Sequence, residues 1–516
     1  MTRRPSPATT SLIALVVGAL LLPAPPASAS RTQRTVFEDP KLLLRSGPEV
    51  RAGTLDELRA LGVDIVKLRV EWRSLAPEPT APTRPAFDAA DPNAYPIQGW
   101  AQLDDAVRAT TQRGMQVFLM LSGSAPEWAT APGELDDHVG VMRPDPEEFG
   151  LWVRAVGRRY DGATAGLPRV DMWSLWNEPN HPQFLQPLSE RLGGRMSASS
   201  PHHYRQLYRA GRAALGATGH GRDTVLFGEI LPVGERPLSA TNNLSPILFL
   251  RELFCLDSRY RPYRGPAARL RGCARFPRFQ TSGFAYHPYT RRGGPREEPP
   301  SRDDATIGQI ERVERALDRI AMTRRVARRL PIYDTEFGIE TVPDCRRGEA
   351  LRDQAGFMNE AEYLSYTRAR VRSYANYLLQ DDAIVTRFPA RSKRRNRGFQ
   401  SGLRFGEGAT TCDGSQAFGL ASPKPAYEAF RTPIYVRREG PREVRVFGRA
   451  RPRGRAPQAI DILRDGRRVK RVIARGAFLA RVSRPAGGLW SLRWRFEGDT
   501  FTSREARALT DPSRRR

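Results

Sequence analysis

Cysteine is scarce in this chain, four residues in 516, which excludes a miniprotein held together by disulfides. Lysine is nearly as scarce: positions 41, 67, 393, 424 and 470 are the only lysines among 83 basic residues, and the rest are arginine. A skew of that kind follows from GC-rich coding, so the formal net charge of +27 is weak evidence for a nucleic-acid partner, and no recognised nucleic-acid-binding motif accompanies it. No stretch reaches eighteen apolar residues, so no segment reads as a bilayer-spanning helix. The 44 glycines and 43 prolines show no collagen-like period, and no repeat of 20–50 residues is present. What the chain does have is core material. It is 40% hydrophobic, with 22 Phe, 15 Tyr and 8 Trp, which excludes wholesale disorder and suits one large domain plus a smaller one.

The first thirty residues have the order of an export signal. Arg3 and Arg4 are basic, Leu12 to Leu22 is apolar, and Ala27-Ser28-Ala29 offers small residues for cleavage. The expectation is a secretory signal over 1–29 and a mature protein that is secreted, with no membrane association after cleavage. Export makes a disulfide reading of Cys255, Cys273, Cys345 and Cys412 natural. Four cysteines allow three connectivities, and Cys255–Cys273 with Cys345–Cys412 is favoured. Zinc is the rival, but no CxxC and no adjacent histidine supports it, and no metal or organic cofactor is expected.

From about residue 35 to 430 short apolar segments alternate with helical patterns. The strand candidates are Thr35–Phe37, Ile65–Trp72, Met115–Leu121, Val170–Trp176, Thr224–Ile230, Gly283–His287, Ile332–Thr335 and Ala383–Phe388. Thr54 with Glu57, and Asn359 with Glu362, read as capping boxes, the second opening a helix over Tyr363–Leu378. Eight such units predict an α/β fold, a (β/α)8 TIM barrel over 30–433, with long loops after strands at 73–97, 122–144, 288–305 and 389–422. An open doubly wound sheet competes, but no Gly-rich phosphate loop follows the first strand. From Ile434 the period changes to two, between Gly, Pro and Asp turns, which predicts a small C-terminal β-sandwich over 434–510, then a basic tail at 511–516. Residues 436–516 carry 23 basic and 8 acidic residues, so an anionic cell-surface polymer is a candidate partner for this domain.

Two carboxylates stand where chemistry would sit. Trp173-Ser-Leu-Trp-Asn-Glu-Pro179 ends a strand in Asn177 and Glu178, and Pro331-Ile-Tyr-Asp-Thr-Glu-Phe-Gly338 ends another in Glu336. On a barrel these follow the fourth and seventh strands and face each other across the mouth. Paired carboxylates without metal ligands beside them suggest glycoside hydrolysis. With Val66-Lys-Leu-Arg-Val-Glu-Trp72 and His287-Pro-Tyr289, the stretch 35–432 resembles the clan-A retaining glycoside hydrolases, nearest to the xylosidase/iduronidase-like and cellulase-like families.

That resemblance implies a poly- or oligosaccharide substrate, Glu178 as general acid/base and Glu336 as nucleophile. It implies that Asn177 bonds the sugar 2-hydroxyl, that Arg69 and Tyr289 lie near Glu336, and that His287 lines the same pocket. An acid needs a raised pKa, so Glu178 is expected to be raised by the charge of Glu336. Trp72, Trp128 and Trp176 either line sugar subsites or pack in the core. Glu229 reads as structural, and His202-His203 as solvated residues of a helix's first turn. Many relatives carry a Trp after the eighth strand, whereas this chain has none between 177 and 489, with Phe388, Phe399 or Phe405 as substitutes. The rival reading is a catalytically idle barrel that binds carbohydrate or a cell surface.

Overall fold

The computed structural model describes residue 30 and residues 32–510, apart from 134, 136, 137, 165, 393, 396, 397 and 453–455. The expected signal segment 1–29 and the tail 511–516 lie outside the described residues.

Eight parallel strands form one sheet: β1 Arg34–Glu38, β2 Ile65–Glu71, β3 Gln116–Ser122, β4 Met172–Leu175, β5 Thr224–Ile230, β6 Gly283–Tyr286, β7 Ile332–Asp334 and β8 Ser373–Tyr377. Their order is β8-β1-β2-β3-β4-β5-β6-β7, with Thr35 opposite Tyr374 and Leu119 opposite Trp173. A parallel bridge between Ile332 and Val371 joins the two ends, so the sheet closes on itself as a (β/α)8 barrel. Short apolar strands buried on both faces give this architecture because helices must cover the outside of a parallel sheet. Among the described residues no helix is long and apolar enough to cross a membrane.

One expected strand is misplaced. Ala383–Phe388 is loop, and the eighth strand is Ser373–Tyr377, inside the span read as a helix. The helix runs instead over Leu351–Tyr366, so Asn359 and Glu362 lie within it rather than at its start. Asn359 spends its amide on the Ala429 carbonyl at 2.7 Å, a partner seventy positions away. Thr54 likewise lies inside the helix Pro48–Ala60. A capping-box pattern uses four residues; a tertiary partner overrode it at Asn359, and at Thr54 the hydroxyl donates to the Val50 carbonyl one turn back in the same helix at 2.7 Å.

The barrel interior is layered. At its floor one residue from each strand packs into an apolar plug that includes Val36, Ile65, Phe118, Met172, Leu226 and Ala375. Two residues further along each strand the side chains point inward again. That next layer holds Glu38, Lys67, Ser174 and Tyr377, with His287 and Thr335 just past the ends of their strands. Its polar groups sit on the apolar plug at the carboxyl ends of the strands.

The sandwich consists of two four-stranded sheets. The first is built from β9 Ile434–Gly440, β10 Glu443–Arg449, β13 Ala477–Val482 and the short β16 Leu509–Thr510, and the second from β11 Gln458–Arg464, β12 Arg467–Ala474, β14 Trp490–Phe496 and β15 Asp499–Thr502. Val436, Val446, Ile460, Ile462, Trp490 and Leu492 fill the space between them. The first sheet leans on the barrel helix Leu351–Tyr366, where Tyr363 stacks on Tyr435 with ring centroids 4.6 Å apart. Both favoured disulfides are present: Cys255–Cys273 and Cys345–Cys412, the latter linking the loop after β7 to the loop after β8.

Candidate active site

Glu178 follows β4 by three residues, and the chain bends sharply there. Trp176 has φ 72° and Glu178 φ 33°, both in the left-handed region that non-glycine residues avoid. The Glu178 N–H donates to the Glu229 carbonyl at 2.8 Å, which fixes the bend against the end of β5. Glu336 comes two residues after β7. Both carboxyl side chains are mostly covered, 15% and 13% exposed. A carboxylate oxygen of Glu178 and one of Glu336 lie within 4.8 Å of each other, with His287 beside both.

His287 is fully buried beneath this gap. Its Nδ1 is 2.9 Å from Glu178 Oε1 and its Nε2 2.6 Å from Glu229 Oε2, while Glu336 Oε2 is 3.7 Å away. Burial alone would lower its pKa. The charge of Glu336 and the bonds to Glu178 and Glu229 outweigh burial and lift it to about 10. An imidazole with carboxylate oxygens on both nitrogens is held as the doubly protonated cation, so it lacks the lone pair that a metal would need. Glu178, His287 and Glu336 are close enough together to be screened as a metal triad, but this donor set is organised around protons.

The direction for Glu178 differs from expectation. Burial raises it, but the His287 contact prevails, so its pKa is lowered from the ordinary carboxyl value. The pair shares one proton across 2.9 Å, and in this arrangement His287 is the better base.

A second cation went unnoticed in the sequence. Lys67, on the inward face of β2 and fully buried, stands 3.0 Å from Glu38 and from Glu229 and 3.5 Å from Glu336. Burial opposes its charge, yet the three carboxylates reverse that and raise its pKa. Glu229 is buried and lowered, with burial overcome chiefly by Lys67 and His287, and it also accepts the Thr335 hydroxyl at 2.8 Å. Glu38 is pushed up to about 7, by burial first, with Lys67 opposing. One signal could have exposed Lys67: a rare lysine in the middle of an apolar strand, two positions before Arg69.

The other expected residues divide. Tyr289 donates its hydroxyl to Glu336 Oε1 at 2.8 Å. Asn177 is buried, and its Oδ1 has no hydrogen-bond partner among the described residues. Arg69 feels the charge of Glu336 after those of Glu71, Tyr377 and Glu38, and its ion pair is with Glu71, at 3.0 Å. With Arg45 and Glu71 it lines a cavity of about 320 Å³ at the end of β2. Lys67, two strand positions earlier, makes the ion pair with Glu336 at 3.5 Å. Trp72 and Trp176 are corrections: both have 0% exposure and cannot face a ligand. Trp72 stacks on Trp152 with centroids 5.8 Å apart, and Trp176 donates its Nε1 to the Phe184 carbonyl at 3.0 Å. Trp128 is half-buried, edge-on to Trp72 and bonded to the Pro77 carbonyl at 3.2 Å. Beside the end of β8, where a Trp was missed, Tyr377 meets the exposed Phe399 edge to face at 5.3 Å. His203 bonds the Pro144 carbonyl and His202 lies 3.2 Å from Glu252, so the pair is packed rather than solvated.

No family model and no curated protein matches the sequence. Solved structures similar to the chain include Fpglu1 from Fervidobacterium pennivoraus (14% identity, 78% of this chain and 95% of that one, TM-score 0.43). A β-glycosidase from Thermosphaera aggregans is similar at 13% identity over 78% and 95% of the two chains, TM-score 0.44. GH5_18 from Streptomyces cattleya, solved in complex with GlcNAc, is similar at 15% identity over 78% and 79%, TM-score 0.45. At these values the chemistry proposed below rests on residues of this chain alone.

Proposed function

We propose that the protein is an exported retaining glycoside hydrolase acting on a poly- or oligosaccharide. The observation that carries this reading is the gap of less than 4.8 Å between carboxylate oxygens of Glu178 and Glu336 at the barrel mouth. Retaining enzymes hold their two carboxyl groups about 5–5.5 Å apart and inverting enzymes about 6.5–9.5 Å, and an oxygen-to-oxygen approach within 4.8 Å supports the closer arrangement.

In the first step Glu336 attacks the anomeric carbon and the glycosidic bond breaks. Glu178 gives its proton to the departing oxygen. That proton is stored on His287 Nδ1. A sugar seated over Glu178 excludes water and makes the ionised form costlier, which moves the proton onto Glu178 Oε1. In the second step Glu178 takes a proton from water, the water oxygen bonds the anomeric carbon, and Glu336 leaves as a carboxylate. Lys67 and the Tyr289 hydroxyl stand beside Glu336 to receive its returning charge.

The test is hydrolysis of a defined glycan library with the anomeric configuration of the first-formed product read by NMR. Net retention is expected, and inversion would sink the assignment. Glu336→Gln should abolish turnover while binding is retained. Glu178→Ala should lose activity on natural substrates and recover rate on an activated aryl glycoside when azide is added. Full activity in either variant would overturn the roles.

A further inference from the structure

The basic residues of the sandwich are not spread evenly. Strand register puts Asp461 of β11 opposite Arg471 of β12 and Arg493 of β14, and puts Leu463 opposite Arg468. Opposed residues share a face, so these side chains lie on the outer surface of the second sheet, away from the core formed by Ile460, Ile462 and Trp494. Arg495 is two residues beyond Arg493 and joins the same face, opposite Thr500. All four arginines are exposed.

Asp461 is the single acid among the strand-paired residues of this face, and it is already shared. Arg471 grips it with two bonds, of 2.7 and 3.1 Å, and Arg468 stands 3.9 Å away. Arg493 and Arg495 have no carboxylate within ion-pair distance among the described residues. The face therefore keeps about three uncompensated positive charges on a flat surface, spaced about 9.6 Å across strands, because β11 lies between β12 and β14, and about 7 Å along β14. Among the described residues it carries no aromatic ring, so it lacks the stacking platforms that neutral sugars or single-stranded bases use.

We propose that this face binds an extended polysaccharide bearing carboxylates, a polyuronate, through Arg468, Arg471, Arg493 and Arg495. The two-pronged grip of Arg471 on Asp461 is the contact that a uronate carboxylate would make with Arg493 or Arg495, since the planar guanidinium fork matches a carboxylate edge. The inference is independent of which bond the barrel cleaves, because the face lies wholly in the sandwich.

The experiment uses the full chain and soluble polygalacturonate, with Kd measured by titration calorimetry at low and at raised salt. The native chain should bind, and more weakly as salt rises. Arg493→Gln with Arg495→Gln should raise Kd about tenfold or more, as two charge-assisted contacts are lost. Asp461→Asn should lower Kd, because it frees Arg471 and removes the one competing carboxylate. A misfolded variant cannot mimic that gain. Unchanged Kd in both variants would overturn the proposal. So would equal binding of dextran, which is neutral, or equal or tighter binding of polyphosphate or duplex DNA, which would make the face a general trap for anions.

Discussion

Lys67 has the largest task of any single side chain in the site. It is the ammonium buried among Glu38, Glu229 and Glu336, and charges taken out of water persist only when paired. Lys67→Met should leave those carboxylates uncompensated and destabilise the fold by about 3–5 kcal/mol, seen as a lower denaturant midpoint. An unaltered midpoint would show that the neighbours neutralise themselves by taking up protons. His287 predicts a pH dependence. Its pKa is raised from 6.5 to about 10 on folding, so its stabilising contribution is full below pH 6.5 and drains away as pH rises toward 10. Tm should therefore fall over pH 7–10. His287→Gln should flatten that slope, and a slope unchanged by the substitution would rule His287 out as its source.

At the scale of elements, the loops after β7 and β8 form one wall of the mouth and are tied together. Cys345–Cys412 closes 67 positions of chain, and buried Lys424 bonds Asp381 and Thr341 beneath it at 2.7 and 2.9 Å. Replacing both cysteines by serine should cost about 2–4 kcal/mol, because the unfolded chain regains the freedom that the crosslink removed. Calorimetry with and without reductant would check this, and the double variant should be insensitive to reductant unless Cys255–Cys273 contributes. Trp72 belongs to the same scale. It is the hub of an aromatic cluster of Trp128, Phe149 and Trp152, and Trp72→Ala should cost about 3–5 kcal/mol by leaving a cavity. Substrate affinity should be little changed in whatever fraction remains folded. A selective loss of binding would restore Trp72 as a subsite residue.

The whole molecule is held by a buried ionic seam between barrel and sandwich. Arg449 and Arg451, at 2% and 0% exposure, both reach Glu362 of the barrel helix, at 2.6 and 2.5 Å. Arg451 also bonds the Phe430 carbonyl and the Thr35 hydroxyl, so the seam runs to the first barrel strand. Glu362→Ala strands two guanidiniums in a dry interface. It should lower stability by about 3–5 kcal/mol and split one cooperative melting transition into two, measured by calorimetry. A single unshifted transition would mean that the aromatic contacts of Tyr363, Tyr366, Tyr435 and Phe447 alone join the two parts.

Local pattern was enough to read the alternation of strand and helix, seven of the eight barrel strands, the change to period two at Ile434, and the two glutamates at strand ends. These are readable because apolar periodicity and turn residues act over a few neighbouring positions. Which residues share the barrel interior is settled by the closure of the sheet, not by any local pattern. Lys67 meets Glu229 across 162 positions, and His287 meets Glu178 across 109, because closing the sheet brings inward-facing residues of different strands to one level. The eighth strand was hidden for the same reason. Ser373–Tyr377 carries no distinctive local pattern and becomes a strand because β1 pairs with it along its full length. The fate of the tryptophans was also beyond local pattern, since a large ring is equally at home in a core or against a sugar until its neighbours are known.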